Sequence, residues 1–161
     1  MPSPEPTPQA FWLMKSEPQE ASIDDLARAP RKTQPWTGVR NYRARNFMRD
    51  AMHPGDGVLF YHSSCPEPGI AGLATVLGGL APDDTQFDPA SPYFDPKSPL
   101  DKPRWLKVDV KLDRKTPLLS LARMRQEPTL ASMLVLQRGN RLSITPVTAQ
   151  EWHAVLALLG R

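Results

Sequence analysis

The sequence predicts an α+β domain built on a small, strongly bent sheet or barrel. Short apolar runs between turn signals read as about six strands with three or four flanking short helices, without the regular alternation of a βαβ fold. Proline, at 19 of 161 residues, cuts the chain into short elements. The run at residues 70–80 is punctuated by Gly72, Gly78 and Gly79, which suggest bends or bulges of the kind found at barrel corners.

The elements follow in order. Residues 1–9 are Pro-rich and polar and read as a flexible tail, leaving one domain at residues 10–161. Residues 11–14 are apolar and read as a buried strand. Ser22-Ile23-Asp24-Asp25 has the form of a capping box with Asp at the fourth position, opening a short helix that Pro30 stops. Asn41 caps a second helix to about Met52, with Ala44, Phe47, Met48 and Ala51 at helical spacing. Residues 58–62 are β-branched and aromatic, a strand after a Gly-Asp-Gly turn. Along residues 105–112, Leu106, Val108, Val110 and Leu112 share one face while Lys107, Asp109 and Lys111 face water, the pattern of a half-buried strand. Residues 120–125 read as a helical turn or two. Residues 134–137 and 141–145 flank Arg138-Gly139-Asn140 and read as a hairpin. Thr148-Ala149-Gln150-Glu151 is a capping box, and Trp152, Val155, Leu156 and Leu159 follow at helical spacing before Gly160.

Composition narrows the function classes. Apolar residues are 40% and charged residues 23%, as in a globular chain. No apolar run reaches the length of a membrane span, and no signal peptide is visible, so no membrane partner is expected. The single cysteine, Cys65, and the absence of zinc-type spacing fit a reducing compartment, with the cytoplasm the expected location, and no metal or cofactor. Net charge is +3 and the pI about 9.2. Between residues 28 and 49 lie Arg28, Arg31, Lys32, Arg40, Arg43, Arg45 and Arg49 and no acid, whereas five aspartates face Lys97 alone between residues 83 and 101. Such a cationic run is either a solvated face or a phosphate-facing patch.

Catalytic signatures are missing. There is no nucleophile elbow, Walker loop or His-Glu-x-x-His. His53 and His153 read as structural or solvated, and a dyad of Cys65 with His62 needs a geometry that sequence proximity does not assure. No catalytic residue is assigned. What stands out is aromatic and amide groups among cations: Trp36-Thr37-Gly38-Val39-Arg40-Asn41-Tyr42, Phe60-Tyr61-His62-Ser63 and Pro92-Tyr93-Phe94-Asp95. Aromatic faces stack on bases and amides read base edges. Between Pro35 and Gly38, Trp36 reads as a loop residue, either covering the core or serving a site.

Ordered segments add a resemblance. Trp12-Leu13-Met14-Lys15-Ser16-Glu17-Pro18, the stretch Trp36 through Asn46, Leu59-Phe60-Tyr61-His62-Ser63, Gly69-Ile70-Ala71-Gly72, Ser91-Pro92-Tyr93-Phe94-Asp95-Pro96-Lys97-Ser98 and Pro103-Arg104-Trp105 together resemble the EVE domain, a PUA-like relative of the YTH domain. The resemblance implies a PUA-like pseudobarrel and a pocket for a modified base in DNA or RNA. It places Lys15 and Ser16 on the wall, Trp36 as the stacking ring, Asn41 and Tyr42 against the base or bracing it, His62 and Ser63 at the end of a strand, and Tyr93 closing from a loop. Arg40, Arg43 and Arg45 stand nearby as expected phosphate contacts, and Trp105 and Pro103 as packing residues. The expected protein is a monomeric, non-catalytic reader of a modified base. An enzyme acting on a nucleobase or nucleotide, or a small-molecule or protein-binding module on the same fold, are the alternatives.

Overall fold

The structure, a computed structural model, describes residues 10–160. The expected tail at residues 1–9 lies outside them. Six strands form one mixed sheet: β1 (Phe11–Ser16), β2 (Thr33–Trp36), β3 (Gly57–His62), β4 (Gly69–Pro82), β5 (Leu106–Ser120) and β6 (Ile144–Val147). Their order across the sheet is β2-β5-β4-β3-β1-β6. Only the β1–β3 pair is parallel; the other neighbours are antiparallel.

Burial explains why the strands look different in sequence. β1 lies inside the sheet with both faces covered, so Trp12, Leu13 and Met14 are all buried and the strand reads as a continuous apolar run. Trp12 and Met14 pack with Val58, Val76, Val110 and Met48 on one side. Leu13 packs with Leu59, Ile70, Met124 and Val155 on the other. β5 alternates over its first half because one face is wetter: Val108, Val110 and Leu112 are buried and Lys111 is exposed.

The sheet bends where glycine allows it. The β4–β5 register shifts at four places, two of them beside Gly78, which has φ +99. A left-handed backbone there costs glycine nothing and a side chain much more. Each shift sharpens the twist and rolls the long hairpin toward closure.

Four helices cover the sheet: α1 (Ile23–Arg28), α2 (Tyr42–Asn46), α3 (Leu121–Arg125) and α4 (Ala149–Leu158). The Ser22–Asp25 and Thr148–Glu151 capping boxes are formed in both directions. Asn41 caps α2 through its side-chain oxygen, and the helix runs on into a π-type turn, Phe47–Ala51. Among the described residues no helix is long and apolar enough to cross a membrane.

Two expectations need correction. The hairpin around Arg138 is absent: Leu134–Leu136 is a helical turn, and only Ile144–Val147 is a strand. Its partner is β1, which supplies a buried apolar surface that a local hairpin would lack. Trp36 is not in a loop. It ends β2, pairing with Val108, and Pro35 is tolerated because β2 is an edge strand with one unpaired side. β5 also runs on to Ser120, well beyond the alternating segment, because β4 pairs with it out to that residue.

Candidate nucleic-acid interface

A cavity of about 650 Å³ opens where the two edges of the sheet approach each other. Gln34, Pro35 and Trp36 of edge strand β2 line one side. Arg141 and Ser143, just before edge strand β6, line the opposite side beside Lys15 and Ser16 of β1. The Lys15 N–H donates to the Ser143 carbonyl at 2.8 Å, and the Ser63 N–H to the Ser16 carbonyl at 2.9 Å, so the ladder continues past the strands to fix this wall. The volume lies in the range of small-molecule sites.

Trp36 is half buried. Phe60, itself 1% exposed, meets it edge to face with centroids 5.3 Å apart, which fixes the indole while part of it lines the cavity. Gly38 follows at φ +82, and the Tyr93 ring lies so close that a Cβ on Gly38 would come within 2.9 Å of it. Glycine is therefore required here by both backbone and space. Tyr93 donates its hydroxyl to Glu20 across the cavity rim. Burial, then the Glu20 hydrogen bond and charge, push the Tyr93 phenol up to about 12.

Lys15 is partly desolvated on the wall, and burial lowers its pKa. The Ser16 hydroxyl donates to the Ala21 carbonyl, which leaves its oxygen as an acceptor toward the cavity. Val39, 2% exposed, adds an apolar patch.

The loop carrying Tyr93 is held from behind. Asp83 is fully buried and accepts from the Gly38 N–H at 2.8 Å, from Arg40 at 3.1 Å and from the N–H and hydroxyl of Thr85. Burial pushes this carboxyl up, but the bonds from Thr85, Gly38 and Arg40 outweigh it and hold its pKa below the ordinary value. Gln86 uses all its amide capacity: it donates to the Asp83 and Trp105 carbonyls and accepts from Ser98 and the Trp105 N–H.

The structure thus brings Lys15, Ser16, Trp36, Ser63 and Tyr93 around one cavity and sets the other expected residues apart. Asn41 spends its carbonyl oxygen on the N–H groups of Arg43 and Ala44. Tyr42 stacks on Trp105 at 4.9 Å, with the Arg45 guanidinium over its ring. His62 accepts the Ile23 N–H through Nε2 and so anchors the start of α1; burial lowers its pKa. Arg40, expected at a phosphate, has its donors engaged within the protein. Its five N–H groups go to the Tyr93 carbonyl twice, the Val39 carbonyl, Asp83 and Thr85, so it braces the wall from inside. Arg45 is likewise engaged with Asn46 and the Arg104 carbonyl. Arg43 is exposed beside Phe47. The aromatic and amide pattern missed Gln34, Arg141 and Ser143, which reach the cavity through strand order, and Glu20, which reaches it from the turn after β1. Among the described residues no group of three His, Cys, Asp or Glu side chains is placed to hold a metal ion.

Comparison with known proteins identifies relatives of this arrangement. The EVE domain profile matches residues 10–158. Human thymocyte nuclear protein 1 is 44% identical over 167 residues, covering 92% of this chain and 73% of that protein. A crystal structure from Pseudomonas putida superposes with a TM-score of 0.87 at 49% identity, over 92% of this chain and 99% of that one. The crystal structure of human THYN1 protein in complex with 5-methylcytosine-containing DNA superposes with a TM-score of 0.86 at 42% identity, over 95% and 99%.

Proposed function

Because the chain belongs to the EVE domain family, we propose that it is a non-catalytic binding module that takes one modified nucleic-acid base into the cavity beside Trp36, with 5-methylcytosine in DNA the foremost ligand. The observation that carries this reading is the human relative in complex with 5-methylcytosine-containing DNA, whose fold this chain shares over nearly its whole length.

The cavity has the chemistry for it. Taking a base out of its stack costs a few kcal/mol. Stacking on an aromatic ring returns about 1–3 kcal/mol, and each hydrogen bond adds about 0.5–1.5 kcal/mol. Trp36 is the stacking ring. Ser16 accepts and Lys15 donates, which suits a cytosine edge carrying an amino donor beside acceptors. Val39 and Pro35 supply an apolar surface for a methyl group. The use of the reactive groups supports a non-catalytic reading: His62 is tied to the Ile23 N–H and Cys65 stands outside the cavity lining. We take the protein to act as a monomer, with one cavity per chain, in the reducing cytoplasm that a lone cysteine suits.

The test is a titration of the full chain and of Trp36→Ala with oligonucleotides carrying one 5-methylcytosine or one plain cytosine, as DNA and as RNA. The wild type is expected to prefer the methylated DNA, and Trp36→Ala to lose roughly 5- to 150-fold in affinity, the equivalent of one stacked base. Equal binding of methylated and plain oligonucleotides removes this reading. Tighter binding to the RNA moves the ligand from DNA to RNA.

A further inference from the structure

Two exposed cationic pairs flank the cavity on opposite sides. Arg31 and Lys32 stand in the turn that leads into β2, next to Gln34, Pro35 and Trp36 of the cavity wall. Arg138 stands in the turn before β6, and Arg141 lines the cavity itself. Some surface cations are spent on acids: Arg28 on Asp25, Arg49 on Asp50, Lys115 on Asp24 and Arg123 on Glu127, while Arg43, Lys97, Lys102, Lys111 and Arg125 are exposed outside the cavity lining. Among the described residues the four flanking cations enter no ion pair, and their side chains donate no hydrogen bond to the protein.

The backbone singles out the same place. Among the described residues the non-glycine positions with positive φ are Arg31 at 55, Lys32 at 54 and Ser64 at 53. Ser64 lines the cavity, and the other two sit at the entry to β2. Glycine would adopt this conformation without steric cost, whereas a long side chain is strained in it. Backbone strain of this kind gathers at ligand sites, where it is kept for what it positions. Here it shapes the turn that carries two long cations into β2, whose residues Gln34 to Trp36 line the cavity. The acids Glu17 and Glu20 line the cavity too, and Glu20 accepts from Tyr93, so an anionic strand is repelled from that quarter.

We propose that the sugar–phosphate backbone on either side of the bound base crosses the cavity mouth between the Arg31–Lys32 turn and the Arg138–Arg141 loop, with these cations on its phosphates. This rests on the base-binding reading above. It assigns the phosphate contacts to the turns that flank the two sheet edges in place of Arg40, whose donors are used inside the protein.

The experiment measures affinity against salt concentration for two DNA duplexes, one with a single central 5-methylcytosine and one with cytosine. The variant is Arg31→Gly with Lys32→Gly, which removes both charges while relieving both left-handed positions, so it is expected to melt no lower than the wild type. The slope of log affinity against log salt should become shallower by about 1.8, the loss of two phosphate contacts at roughly 0.9 each, on both duplexes. Arg138→Ala with Arg141→Ala should act in the same direction. Arg49→Ala, which removes a cation paired to Asp50, should leave the slope unchanged. A wild-type slope in the glycine variant overturns the proposed path. Preference for the methylated duplex with an unchanged slope sinks the path alone; a reduced slope without any wild-type preference sinks the base reading alone.

Discussion

Asp56 and Asp83 are both fully buried carboxylates, and their partners give them different work. Asp56 sits just before β3 and accepts from the Ala10 N–H, the His53 N–H and the Trp12 indole N–H at 2.9 Å. All three donors are neutral and belong to the framework, so the carboxylate pins the start of β1 to the turn before β3. Asp83 accepts from Gly38, Thr85 and the Arg40 guanidinium. Its donors belong to segments that shape the cavity, and one of them carries a charge. The difference teaches that one residue type holds the sheet together at one place and holds the site open at another, according to which segments the fold brings to it.

Removing the charged hub should cost most. Asp83→Ala leaves a largely buried Arg40 without its anion and the Gly38 N–H without its acceptor, and breaking such a pair costs about 3–5 kcal/mol. Thermal or denaturant unfolding reads the loss, and oligonucleotide affinity should fall with it because Tyr93 is held through Arg40. If Asp83→Ala proves milder than Asp56→Ala, the charge of Arg40 does not set the ranking. Asp56→Ala should come second, at about 2–3 kcal/mol for buried donors left unpaired, and should spare oligonucleotide affinity at temperatures where the variant stays folded.

Acidification tests the Asp83 hub in another way. The Asp83 carboxyl titrates below its ordinary value in the folded protein, so its contribution is present at neutral pH. It is lost as pH falls from the ordinary aspartate range near 3.9 through the depressed folded value. Acid unfolding of Asp83→Asn should lack that step. A wild-type acid profile in this variant would show that the bonds of Asp83 contribute nothing by way of its charge.

The smallest effect is expected at the rim. Tyr93→Phe removes the hydroxyl that meets Glu20 and should change stability by less than about 0.5 kcal/mol, as for most surface substitutions. Phenolate absorbance should show one tyrosine ionising near 12 in the wild type and missing in the variant. The folded phenol is the weaker acid, so its share of stability is intact below the ordinary tyrosine value and fades as pH climbs toward 12.

Much of the framework was legible because it is local. Ser22 with Asp25, and Thr148 with Glu151, announce helix starts within four residues, and both boxes form. Val108, Val110 and Leu112 announce a half-buried strand by spacing alone. Asn41 announced a helix cap, and that use also removes its carbonyl oxygen from a base-reading role. β2 stayed hidden because four residues with a proline among them carry no strand signal; only pairing with β5 makes Thr33–Trp36 a strand. Leu134–Leu136 misled in the opposite sense, since an apolar run fits a helical turn over the α4 side of the core as well as a strand.

The cluster of rings, amides and cations from Trp36 to Asn46 divides the same way. The sequence by itself determined its composition, the cap at Asn41 and the glycine that lets Tyr93 approach. Its aromatic groups placed Trp36, Ser63 and Tyr93 among the residues to watch, and the resemblance to the EVE domain added Lys15 and Ser16. Only the tertiary structure decided that the first four residues of the cluster line a cavity while Arg40 braces it, Asn41 caps α2 and Tyr42 stacks on Trp105. It also decided that Gln34 and Ser143, more than a hundred residues apart, face the same space. The physical reason is that hydrogen-bond caps and apolar periodicity act over a few residues, whereas this cavity exists because a bent sheet brings its two edges together.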